Sequence, residues 1–188
     1  LVTSFTRLAE LVFRTYGGIA GRRLTDGGRM ILMRLAIDGA EDFLRLYGKN
    51  ARTGEMIRLL VSAEAEMKMC AVSPETLEEA GLQSQNEVLR QKAKDLSLIF
   101  SAYEAMVQQS YLDPQDDLTR MQQRLQAQGF FEGCTVILDS FTGFTVQECS
   151  VLSEILKQAK DVYVTLCTDR LDDPENGMGL FSAVRKTA

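Results

Sequence analysis

Residues 135–166 read TVILDSFTGFTVQECSVLSEILKQAKDVYVTL, and this stretch decides the fold. Thr135-Val136-Ile137-Leu138 is a short β-branched apolar run ending on Asp139, and Val162 to Leu166 is a second. Between them a helical pattern runs through Val151, Leu152, Ile155 and Leu156. Strand, helix, strand predicts a βαβ unit. Both runs are apolar throughout rather than alternating, which predicts parallel strands covered on both faces, within a sheet of more than two strands.

Upstream the pattern is helical. From Thr3 to about Gln128 nearly every segment has helical period and helix-type ends. The first helix is predicted from about Thr6 to Tyr16, with Leu8, Leu11, Val12 and Thr15 on one face, stopping at Gly17-Gly18. Thr25 or Asp26 can cap a second through Met30, Leu32, Met33 and Leu35, and a short apolar segment, Phe43 to Tyr47, follows. Thr53 can cap a third, to about Ala71, with Met56, Leu59, Leu60, Ala63 and Met67 read as its inward face. Ser73-Pro74 starts a fourth, since Ser supplies the cap oxygen and Pro at the first position loses no needed donor. The longest, from about Asn86 to Ser110, repeats Leu89, Ala93, Leu96, Phe100, Tyr103 and Val107 at intervals of four and three. That seam is expected to be intramolecular core, because it covers fewer than four heptads. Asp113-Pro114 starts the last helix of this region, through Leu118, Met121 and Leu125 to Gly129.

The chain is 45% hydrophobic and 25% charged over 188 residues, an ordinary globular composition that can bury a real core. Its apolar runs fall far short of the ~20 residues that cross a bilayer, so no membrane partner is expected. Leu1-Val2 reads like the tail of a strand with no basic leader, so the chain is expected to begin inside a larger domain. Histidine is absent, which excludes Ser-His-Asp and Cys-His nucleophiles and histidine metal ligation. Cys70, Cys134, Cys149 and Cys167 lack metal-ligand spacing and are expected to be buried free thiols. The net charge of −5 is unevenly placed. Residues 1–34 hold Arg7, Arg14, Arg22, Arg23, Arg29 and Arg34 against Glu10 and Asp26, a local +4 that leaves −9 for the remainder. An anionic partner is expected to meet this segment, a solvated basic helix face being the alternative.

Asp139 stands at the C-terminal end of an apolar strand, where open α/β sheets bind their ligands and where a carboxylate can hold magnesium beside a nucleotide. A turn or capping role suits the same position. No GxxxxGK[ST] loop is present, and Gly48-Lys49-Asn50 lacks both the preceding glycine and the following hydroxyl. No catalytic residue and no resident cofactor are therefore expected in this chain. Asp113, Asp116 and Asp117, like Asp169, Asp172 and Asp173, fall where turns and caps are expected and lack the ligand spacing of a calcium loop. The segment Ser140-Phe141-Thr142-Gly143-Phe144-Thr145 places two aromatics and several hydroxyls beyond the strand, a chemistry suited to stacking on unpaired bases and bonding phosphate or sugar. Thr145 and Glu148 also form a capping-box pattern, and both readings can hold together.

Residues 136–148 (VILDSFTGFTVQE), 95–104 (DLSLIFSAYE) and 111–114 (YLDP) together resemble the AddB family of bacterial ATP-dependent helicase–exonuclease subunits. The likeness extends over most of the chain, including Thr165-Leu166-Cys167-Thr168-Asp169. Thr3-Ser4-Phe5-Thr6-Arg7-Leu8-Ala9 is similar to helicase motif Ia of superfamily 1, a strand-to-helix junction facing single-stranded DNA. The resemblance implies a predominantly helical α/β fold: a partial RecA-like parallel sheet carrying a large helical insertion. Residues 1–16 would be a strand end and first helix of the helicase core, 17–133 the insertion, and 134–188 a βαβ unit of the core. It also implies a phosphate loop before Leu1, and a second helicase lobe and a cluster-bearing nuclease domain beyond Ala188. The parent's cofactors would then be ATP, magnesium and a 4Fe-4S cluster. The parent would be a cytoplasmic protein that processes broken DNA ends in a heterodimer with an AddA-type helicase subunit. The expected contacts with single-stranded DNA are Ser4, Phe5, Thr6 and Arg7 at one junction and Phe141, Thr142 and Phe144 at the other, both at the C-terminal edge of one sheet. Asp139 and Ser140 would form a degenerate Walker-B position, since superfamily helicases ordinarily have glutamate where Ser140 stands. The alternative is a scaffold whose helical surface docks the partner subunit without touching DNA.

Overall fold

The computed structural model describes residues 1–166; Cys167, Asp169, Asp172 and Asp173 lie outside them. The elements run α1 (Phe5–Tyr16), α2 (Asp26–Ala40), α3 (Gly54–Met69), α4 (Pro74–Leu82), α5 (Glu87–Ser110), α6 (Asp117–Ala127), β1 (Thr135–Phe141), α7 (Val146–Gln158) and β2 (Asp161–Leu166), with short 3₁₀ turns at Glu41–Phe43, Lys49–Arg52 and Pro114–Asp116. The fold is thus mostly helical with one small parallel sheet. Helix starts follow local chemistry. Ser4, Thr25, Thr53, Ser73, Asn86 and Thr145 each sit in extended backbone and accept from an N–H two or three residues on, each cap contributing about 1 kcal/mol. Asp113-Pro114 opens a 3₁₀ turn first, and α6 follows from it.

The chain divides into two compact units, Gly18–Asp117 and Leu1–Gly17 together with the chain from Leu118 onward. The expected segment 17–133 is therefore shared: residues 18–117 form one unit, while Met121 and Leu125 of α6 lie in the core of the other.

In the helical unit, Met33, Ala36, Ile37, Ile57, Leu60, Ile99, Phe100, Tyr103 and Val107 form the core. The α5 seam is largely as expected, but Leu89 is exposed, one turn before the contact of Gly81 on α4 with Ala93. A Cβ on Gly81 would stand 2.5 Å from Ala93 Cβ, and neither atom can rotate away. Gly81→Ala, although a better helix former, is expected to destabilise the unit by about 1–2 kcal/mol, read as a lowered urea midpoint; a rise would show that α4 and α5 part freely. The inward face of α3 also differs from expectation. Leu59 is 58% exposed, while Ile57, Leu60 and the charged Glu64 face in.

Glu64 turns inward because cations meet it there. Its Oε2 accepts from Arg29 at 3.2 Å, and its Oε1 lies 3.0 Å from Lys68 Nζ. Lys68 also pairs with Asp113 at 3.2 Å and Asp116 at 2.9 Å, and Tyr103 is buried alongside, its hydroxyl pushed up to about 12 by burial. Arg29 is accordingly not available to an anionic partner. Arg23, though exposed, is paired with Asp117, and half-buried Arg34 with Asp38; Arg7, Arg14 and Arg22 are exposed as well.

The other unit builds its core from Phe5, Leu8, Ala9, Val12 and Phe13 of α1, Met121 and Leu125 of α6, Phe131, and Val151 and Ile155 of α7. β1 and β2 pair in parallel, Thr135 opposite Asp161 and Leu138 opposite Val164. Val136 and Val162 pack on this core, whereas Ile137 and Tyr163, in register with each other, are exposed. Among the described residues the sheet is thus covered on one face, not two. The cysteines differ from expectation: Cys70, Cys134 and Cys149 are free but exposed. Cys149, two residues from buried Gln147 and Val151, projects from the opposite side of α7. Cys70 caps the end of α3, and Cys134 precedes β1.

Candidate nucleic-acid interface

The strand expected to end at Asp139 continues to Phe141. It does so through an irregularity: Leu138 faces Val164, but Phe141 faces Leu166, so β1 uses three steps where β2 uses two. Ser140 takes up the extra residue at φ 66°, a left-handed conformation costly for a residue with a Cβ. The bulge re-aims Phe141, and α7 begins five residues later. Thr145 fixes that entry with a reciprocal capping box, its Oγ1 accepting from Glu148 N at 3.2 Å and its N donating to Glu148 Oε2 at 2.7 Å.

Three aromatic rings converge here from distant parts of the sequence. Phe5, the first residue of α1, lies 5.6 Å from Phe141 and 6.2 Å from Phe144, both edge-on, and Phe141 and Phe144 are 5.0 Å apart. Such offsets suit aromatic quadrupoles. Phe5 is only 9% exposed, while Phe141 and Phe144 are half-buried. Ser4 caps α1, its Oγ accepting from Arg7 N at 3.5 Å. Thr6, Arg7 and Thr142 are exposed. The structure thus brings Phe5 together with Phe141 and Phe144 at the C-terminal end of β1, with Arg7 one turn along α1 from Ser4.

Asp139 is exposed on the open face of the sheet. Its carboxylate accepts from the hydroxyls of Thr165 and, at 3.3 Å, Ser140. Those hydrogen bonds, Thr165 first, hold it below the usual carboxylate range. Thr165 was legible only as a polar residue inside an apolar run; its partnership with Asp139 depends on strand register. The 188 residues hold no phosphate cradle for a nucleotide beside this carboxylate. Among the described residues no cluster of three His, Cys, Asp or Glu is placed to hold a metal ion.

The family model described as ADDB, N-terminal, matches residues 1–188. The chain belongs to this family. Proteins named as the B-type subunit of an ATP-dependent helicase/deoxyribonuclease are similar to it: one from a Thermoanaerobacter species is 33% identical over 99% of this chain. One from Acetivibrio thermocellus is 31% identical over 98%, and one from Clostridioides difficile 30% identical over 91%. The chain spans 16% of the length of the first two and 15% of the third. No helix among the described residues is long and apolar enough to cross a membrane.

Proposed function

We propose that this chain is the N-terminal part of a helicase/deoxyribonuclease subunit that processes broken DNA ends, and that it guides single-stranded DNA across the C-terminal end of β1. The observation that carries this reading is the convergence of Phe5, Phe141 and Phe144. Half-buried Phe141 and Phe144 offer ring faces to unpaired bases, buried Phe5 props them from behind, and Thr6, Arg7 and Thr142 supply hydroxyls and a cation for phosphate. Ser4 contributes by starting α1 at the right place. The parallel β1–α7–β2 unit supports a RecA-like core, with Gly18–Asp117 as the helical insertion. ATP, magnesium and a 4Fe-4S cluster belong, on this reading, to parts of the parent outside this chain; Asp139-Ser140 is a degenerate remnant that shapes the strand end. The parent works in the cytoplasm beside an AddA-type helicase subunit, which drives translocation.

Phe144→Ala is expected to weaken binding of fluorescently labelled single-stranded DNA to the chain about tenfold or more, since one stacked base contributes ~1–3 kcal/mol. Arg7→Ala is expected to weaken it less and to flatten its salt dependence. Anisotropy titrations unchanged by either substitution would overturn the placement. A second reading is favoured by one observation: the helical unit exposes Ile31, Leu35, Phe43, Leu82, Val88 and Leu89, apolar surface suited to docking a partner subunit. Under that reading, changing these residues abolishes subunit association and leaves DNA binding intact.

A further inference from the structure

The acidic chain carries a local concentration of arginine outside the aromatic site. α1 and α6 hold Arg7, Arg14, Arg120 and Arg124 against two acidic residues, exposed Glu10 and buried Asp117, the latter paired with Arg23. Both helices give their apolar sides to one core. Arg7 and Arg14 are seven residues apart, so they share the outward face of α1 about 10 Å apart along its axis. Both are exposed, as is Arg124. The guanidinium of Arg120 lies over the Phe13 ring, 4.6 Å from its centroid, which ties α6 to α1 beside Arg14. Arg124 follows one turn along α6.

We infer that the arginines of α1 and α6 form a phosphate track, on which the backbone of a nucleic-acid strand runs away from the Phe141–Phe144 platform. Charge complementarity selects the occupant: in a protein with net charge −5, exposed Arg7, Arg14 and Arg124 on two adjoining helices make a locally cationic surface that attracts a polyanion. The track reads no sequence, because guanidinium–phosphate contacts position a strand without touching base edges. This inference rests on the reading of the chain as a DNA-guiding segment, and it extends the contact from the aromatic site to Arg14 and Arg124.

The test compares a short oligothymidylate of about 6 nucleotides, which fills the aromatic site alone, with a long one of about 25, each titrated at several salt concentrations against the 188-residue chain. Arg14→Ala/Arg124→Ala is expected to leave short-oligonucleotide binding unchanged and to weaken long-oligonucleotide binding roughly tenfold at low salt. The salt slope for the long strand is expected to fall by about 1.4, two single-strand phosphate contacts at ~0.7 each. Arg14→Lys/Arg124→Lys, which keeps the charge, is expected to retain most of the long-strand affinity. Long-strand binding and slope unchanged in the alanine double variant would overturn the track. Loss of both lengths in Phe144→Ala but not in the arginine variant would leave the aromatic reading standing and the track refuted. The reverse pattern would refute the aromatic reading and leave the track standing, and binding of neither length by the wild-type chain would refute both.

Discussion

Replacing Asp95 with alanine is expected to destabilise the helical unit by about 4 kcal/mol, because three backbone donors lose their shared acceptor. Asp95 is fully buried. Its Oδ2 accepts from the N–H groups of Arg45 at 2.9 Å, Leu46 at 2.6 Å and Tyr47 at 3.1 Å, and its Oδ1 accepts from Gln91 Nε2 at 2.7 Å. The segment after the turn at Glu41–Phe43 has no helix or strand to satisfy its amides. One carboxylate on α5 does that work, fifty residues away along the chain. Truncation leaves those amides short of acceptors at ~1–3 kcal/mol each, part of which water entry returns. Asp95→Asn, which keeps an acceptor oxygen but no charge, is expected to lose about half as much. The check is the urea midpoint together with hydrogen exchange at the Arg45, Leu46 and Tyr47 amides. An alanine variant within about 1 kcal/mol of wild type, with those amides as protected as before, would show that Asp95 does not hold the segment.

Asp95 also shows where sequence reading reached and where it stopped. The segment DLSLIFSAYE was distinctive as a pattern, and the α5 seam identified Phe100, Tyr103 and Val107 as core, because helical period is a local property. That Asp95 should cap a loop is not local: it depends on how α5 and residues 44–47 come together. The same division holds elsewhere. Caps at Thr25, Thr53, Ser73 and Thr145 are legible, since a cap and its N–H lie within three residues, whereas Ser4 caps a helix that starts one residue before the expected Thr6. The phase of α3 was not, because hydrophobicity alone favoured Leu59 over Glu64, and only the cations from α2 and α3 itself make the charged residue the buried one. For the candidate site, residue types and the end of β1 were readable, and so was the expectation that residues near both ends of the chain would meet. The bulge at Ser140 is not legible, since nothing in a Leu-Asp-Ser-Phe sequence specifies a two-against-three register, and without it the sequence places Phe141 in a loop rather than in the strand.

The ion cluster of the helical unit sets up an effect of comparable size with the opposite pH behaviour from ordinary acid denaturation. Lys68→Met is expected to cost about 3–5 kcal/mol near neutral pH and much less in acid. Lys68 Nζ lies within 3.2 Å of Glu64, Asp113 and Asp116, and Arg29 reaches Glu64 at 3.2 Å and Asp113 at 3.9 Å. Two cations therefore serve three carboxylates, of which Glu64 and Asp113 are shut off from water. Methionine preserves the apolar stem, so the loss is that of the charge rather than of packing. Burial raises the Glu64 carboxyl, and Lys68 is the strongest influence holding it down; without Lys68 it rises further. A carboxyl whose folded pKa exceeds its unfolded one contributes stability that is fully present below the unfolded value and lost as pH rises through the folded value. In the variant Glu64 is thus neutral and tolerated in acid, and the penalty accumulates as the pH climbs and an unmatched carboxylate must be buried. The difference in unfolding free energy between wild type and Lys68→Met should be small near about pH 4 and grow toward about pH 7. Adding Glu64→Gln to the variant should remove much of the neutral-pH deficit, because the glutamine stays uncharged at every pH. A deficit independent of pH, or one that Glu64→Gln deepens, would show that Lys68 acts through packing and not through the carboxylates it faces.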